Sequence, residues 1–255
     1  MNAHRYPWRL RLWHEGFASI RGDRAGRPLR FDPATPPAPQ DIVVLTGCSA
    51  EALFAVRAAV AAGARPTVVA DAAVLAWLAL AGAVDGHPGP TSIDGLSIDV
   101  LSVDAAPPTP WAELPWRVVG AARGPVAAAA RVWRGARAPV APARVVGVVH
   151  GDGPRLVHLG LSLHGGVSDA WVAAAAARFG GADPLVAGVL PGEGGALLRH
   201  LPAFGARKVL LTDLVADNRA ARGLGTPLLT PTCDAAVAAG HEAYLFVSGA
   251  GIRLE

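Results

Sequence analysis

Lysine is almost absent from this chain. Lys208 is the only one, and every other basic residue is arginine. The replacement is uniform, so it reads as a codon preference rather than a local device. The arginines still hold their charge and can grip carboxylate or phosphate at two points. Cysteine is nearly as scarce: Cys48 and Cys233 stand far apart, which argues against a disulfide scaffold and suits a reducing compartment. Long apolar runs are missing too. The longest, residues 72–84 between Asp71 and Asp85, falls short of the about 20 residues a bilayer span needs and reads as a buried helix. The first residues are polar and aromatic, with no apolar core of a signal peptide. The expectation is a cytoplasmic protein with no membrane partner.

Charge of one sign is also lacking. The formal net charge is only +3, too little to imply a nucleic-acid partner. The arginine-rich stretches "RYPWRLRLW" and "RVWRGAR" read as solvated faces. What is plentiful is apolar surface: 52% of 255 residues, enough for a sizeable core in one domain over 1–255.

Along the chain, residues 8–32 read as a strand pair, with "RGDRAGR" as its turn. "DIVVLT" (41–46) is a continuous apolar run, as a strand buried on both faces requires. A helix follows from Ser49 to Gly63, then a strand in "RPTVVAD" and a helix in "AAVLAWLALAG". "TSIDGLSIDVLSVD" reads as two strands around an Asp-Gly turn. Residues 105–116 form a rigid aromatic loop, and 125–137 a helix opened by proline. Strands at 144–150 and 155–160 make a hairpin, and strands and helices alternate from there, ending in one helix and one strand. No linker or short repeat divides the chain. The order suggests an α/β domain with two sheets and outer helices.

This order resembles the metallo-β-lactamase fold superfamily. "RFDP" stands where the family has an Asp-Pro step, "DIVVLT" where it has the strand before His-x-His-x-Asp-His, and "PRLVHLGLS" where a strand ends in a Gly-Asp-Thr-like step. The resemblance implies a four-layer αββα sandwich of two mixed sheets. It also implies a metal site, whose imidazole and carboxylate ligands would activate a water. Laid on Thr46, the four motif ligands fall on Gly47, Ser49, Glu51 and Ala52. The bridging aspartate falls on Leu161, and the last ligand position offers Asp213 or Leu214. Glycine and alanine have no ligand atoms, and leucine cannot bridge cations. The resemblance therefore implies a degenerate member, with no metal and no cofactor.

Other residues keep alternatives open. Cys48 lies at a strand-to-helix turn, where a helix N-terminus favours the thiolate. It reads either as a nucleophile or as a small residue filling the turn. His150, His158 and His164 crowd one stretch, but their spacing on a hairpin keeps 150 and 158 from one ion, and all three read as polar surface or loop residues. His164 with Asp169 and Asp213 could form a residual polar cleft. Trp111 and Trp116 read either as interface anchors or as caps on the core edge.

The first functional reading is a pseudoenzyme that binds, scaffolds or regulates, with a protein partner or with a small molecule in the emptied cleft. The second is an enzyme: a metal-free hydrolase or transferase using Cys48, or a hydrolase with a metal site rebuilt near His164. The third is a different α/β protein. Two facing mixed sheets would support the resemblance, and a single parallel sheet would overturn it.

Overall fold

A computed structural model describes residues 10–16, 19–23, 27–47, 50–103, 137–139, 141–150, 155–160, 163, 166–189, 194–212 and 229–254. Sheet 1 contains β1 (Leu10–Gly16), β2 (Ser19–Asp23), β3 (Leu29–Phe31), β4 (Ile42–Val44), β5 (Thr67–Val69), β6 (Asp85–His87) and β14 (Gly251–Leu254), in the order β14-β1-β2-β3-β4-β5-β6. Sheet 2 contains β7 (Thr91–Ile93), β8 (Leu96–Ser102), β9 (Arg144–His150), β10 (Arg155–Gly160), β11 (Ala182–Gly188), β12 (Lys208–Thr212) and β13 (Glu242–Leu245), in the order β13-β12-β11-β10-β9-β8-β7. Both sheets are mixed: β3 to β6 and β10 to β13 run parallel, and the rest pair antiparallel.

Three apolar layers separate the elements. Ile42, Val44, Phe31, Val146, Val148, Val186 and Leu210 pack between the sheets. Val43, Leu45 and Val68 face away from that layer and meet α1 (Ala50–Ala61) and α2 (Ala72–Ala79). Val157, Leu185, Val209 and Leu211 face α3 (Asp169–Phe179), α4 (Gly194–His200) and α5 (Thr230–Ala238). Neighbouring residues on a strand therefore serve different cores, which is why these strands are apolar at nearly every position. The arrangement is the αββα sandwich of two mixed sheets.

Several sequence expectations need correction. Residues 8–32 hold three strands, because Ser19–Asp23 pairs on both sides, with β1 and β3. The apolar run 72–84 is not a buried helix: α2 buries only Val74 and Leu78, and Leu80 just beyond it is 78% exposed. The last segment holds two strands in different sheets, separated by a turn with Gly249 at φ +82°. The Asp-Gly turn does form, with Asp94 at φ +49° and Gly95 at +75°. The loop at 105–116 and the helix at 125–136 lie outside the described residues. Among the described residues no helix is long and apolar enough to cross a membrane.

One close approach locks α3 to sheet 2. A Cβ at Gly147 would stand 2.7 Å from Cδ1 of Phe179, whose ring is buried. Gly147→Ala should cost about 2 kcal/mol through overpacking. Urea unfolding checks this, and Phe179→Leu in the same chain should recover part of the loss. An unchanged midpoint for Gly147→Ala would show that the helix shifts freely.

Candidate functional site

The carboxyl ends of β3, β4 and β10 converge at one edge of the sandwich. Beyond β3, Asp32 takes a left-handed backbone (φ +43°), which aspartate tolerates better than most residues. Its N–H donates to Val44 O at 3.0 Å. Its carboxylate accepts from the Thr46 N–H at 2.9 Å and also from the Thr46 hydroxyl. Both residues are buried. Burial pushes the Asp32 carboxyl up to about 7, against the lowering effect of the two Thr46 donors. The pair straps the start of the strand-to-helix turn to the neighbouring strand.

Sheet 2 reaches the same place. The Arg144 N–H, at the start of β9, donates to Thr46 O at 2.7 Å. Gly160, at the end of β10, has φ +55°, and a Cβ there would lie 3.6 Å from Thr46 Oγ1 and 3.8 Å from Cε1 and Nδ1 of His158. His158 itself is fully buried and points between the sheets, stacked on Phe31 with ring centroids 4.8 Å apart. Neither of its ring nitrogens has a hydrogen-bond partner among the described residues. Burial lowers its pKa to about 4, and the nearby His14 lowers it further. The imidazole is neutral at physiological pH. His14 is also buried, edge-on to Phe246. The expectation that His158 is a surface or loop residue fails because β10 is an inner strand with apolar layers on both faces.

Gly47 follows β4 directly, with open space around the position of a Cβ. Glu51 lies in the first turn of α1, with Ala52 beside it. Ala52 is fully buried in the layer between α1 and sheet 1. Asp169, exposed in the first turn of α3, raises the pKa of His200 by its charge, but burial and Arg199 outweigh it and hold His200 low. Cys48, Ser49, Leu161, His164, Asp213, Trp111 and Trp116 lie outside the described residues, as does the side chain of His150. Among the described residues no three His, Cys, Asp or Glu side chains are grouped to hold a metal ion. Of the described motif positions only Glu51 carries a donor atom, so these positions do not fit the family's imidazole-rich site.

Sequence reading missed the Asp32–Thr46 strap and Arg144. Arg144 left a signal, a single charge opening an apolar strand run, while the strap depends on the β3–β4 register.

No protein-family model matches the sequence, and no curated protein matches it significantly. Solved structures do match over nearly the whole chain. Igni18, a metallo hydrolase from Ignicoccus hospitalis KIN4/I, superposes with a TM-score of 0.62 at 12% identity, covering 96% of this chain and 98% of its own. The chain has a metallo-β-lactamase-like fold. An isothiocyanate hydrolase from Delia radicum gut bacteria shares this fold at TM-score 0.59 and 11% identity, covering 96% of this chain and 99% of its own. A protein from Veillonella parvula DSM 2008, described as a possible metal-dependent hydrolase, does so at TM-score 0.59 and 12% identity, covering 97% of this chain and all of its own. In this fold Gly47 stands at the turn after β4, and the Asp32–Thr46 strap ties that turn to the end of β3.

Proposed function

We propose that this chain is a binding protein on a metallo-hydrolase frame, without metal-dependent hydrolysis. It works in the cytoplasm on a small molecule at the strand ends or on a protein partner, for which Trp111 and Trp116 are the candidate anchors. The observation that carries the reading is Ala52. The position of a metal ligand in the motif is here a methyl group sealed in the α1–sheet 1 core. With Gly47 also lacking a donor, the turn keeps its backbone role and loses its ligand chemistry.

The test is metal content by elemental mass spectrometry, after incubation with zinc, manganese and iron(II) and desalting. Metal well below one equivalent supports the reading. A stoichiometric ion would overturn it and point to a site rebuilt around His164, Asp169 and Asp213. Rapid modification of Cys48 at neutral pH would favour a thiol enzyme instead.

The packing makes a further expectation. Ala52→His should destabilise the fold by about 3 kcal/mol, because a larger, polar ring enters a filled apolar layer. It should not restore zinc binding. Urea unfolding and zinc loading of the variant read both outcomes.

A further inference from the structure

We infer that the carboxyl edge of sheet 1 binds a small oxyanion, a carboxylate or phosphate group, on the buried guanidinium of Arg144. The inference deepens the binding reading above and rests on it.

The Arg144 backbone is fixed at the end of β4 by its bond to Thr46 O. Its Nη2 donates to Pro88 O at 2.5 Å, just beyond β6. Because the sheet order is β4-β5-β6, the side chain crosses the end of β5. There the chain turns into α2, whose N-cap Asp71 accepts from the Ala73 N–H at 2.8 Å.

Arg144 is only 5% exposed, yet its Nε and Nη1 have no hydrogen-bond partner among the described residues. Buried polar groups are nearly always paired, and an arginine stays protonated in proteins. Burial lowers the pKa of this one, while the charge of Asp71 acts the other way. Asp71 therefore acts on Arg144 through charge, and among the described residues no acceptor atom meets Nε or Nη1. Oxygen atoms of a carboxylate or phosphate are the strongest acceptors for a guanidinium. Nε and Nη1 lie on different edges of the guanidinium plane, so a single carboxylate or phosphate group would serve one of them and not both. Asp71 at the N-cap of α2 and Glu51 in the first turn of α1 stand on the same edge, and their charge favours a small anion over a polyphosphate.

The test is a titration of chelator-treated, ¹⁵N-labelled protein at fixed ionic strength, with inorganic phosphate in one arm and malonate in the other. The Arg144 Nε–H resonance, assigned through its own side-chain carbons, should move saturably. Assignment in the native chain keeps the test open if a variant fails to fold. Arg144→Met should weaken binding about tenfold or more, and Arg144→Lys less. A response to phosphate alone assigns a phosphate ligand, and a response to malonate alone a carboxylate. No saturable movement in either arm, or equal binding by Arg144→Met, overturns this inference alone. Binding that appears only once zinc is added would overturn it together with the metal-free reading.

Discussion

At pH 4, where Asp32 is protonated in the fold, Asp32→Ala should unfold at a much lower urea concentration than the native chain, while Asp32→Asn should stay close to it. Alanine leaves the buried N–H and hydroxyl of Thr46 without their acceptor. It must also hold φ +43°, a region that alanine tolerates poorly. Together these should cost about 3–5 kcal/mol. Asparagine keeps an oxygen for the Thr46 N–H, can donate its amide to the hydroxyl, and tolerates the left-handed backbone. The readout is the urea midpoint at constant m-value. Near-native stability of the alanine variant would show that the strap between β3 and β4 carries little energy.

The second large effect is concealed in the native chain and should emerge in two variants. The folded state holds a proton on Asp32 up to about pH 7, whereas the unfolded carboxyl loses it near 3.8. That contribution is complete below the lower value and is lost as pH rises through the upper one. His158 works in the opposite sense. The unfolded imidazole takes a proton below about 6.5, and the folded one refuses it down to about 4. Its contribution is complete above the upper value and is lost as pH falls. Between about pH 4 and 6.5 the slopes are opposite, each about 1.4 kcal/mol per pH unit, and they cancel.

The native chain should thus show a nearly flat stability profile across that window, apart from its surface groups and from His200, whose lowered pKa adds a slope of the same sign as that of His158. Asp32→Asn removes one slope, so stability should rise by about 3 kcal/mol from pH 4 to 6.5. His158→Phe keeps a ring on Phe31 and removes the other slope, so stability should fall by about 4 kcal/mol from pH 4 to 7. Urea unfolding at several pH values measures all three. Flat profiles in both variants would show that neither group titrates differently on folding.

The elements that sequence reading recovered carry their signals locally. The β4–α1 junction, the Asp-Gly hairpin and the strands β9 to β12 are apolar runs bounded by turn residues, and each lies where expected. The failures have long-range causes. β6 is "DGH", with no apolar residue: it exists because its backbone pairs with β5 at a sheet edge. The split of the last segment depends on Gly249 carrying the chain from sheet 2 to sheet 1. The orientation of His158 depends on where β10 sits among other strands, which no window of sequence reports. The site follows the same rule. Asp32 and Thr46 are fourteen residues apart and meet only through the parallel register of β3 and β4. The lack of ligand atoms at Gly47 and Ala52, by contrast, could be read directly, because a glycine or an alanine is visible without a structure.

The pairing of β1 with β14 has a mechanical consequence. Leu10 faces Leu254 at one end of this antiparallel pair, and Trp13 faces Gly251 at the other. A load applied at Leu10 and Leu254 does not shear the rungs together. It opens them in turn, starting at the pulled end, like a zip. The sandwich should therefore yield at low force along this axis however well its three cores are packed. As the Trp13–Gly251 rung opens, the half-exposed Trp13 ring loses the Gly251 backbone against which it lies.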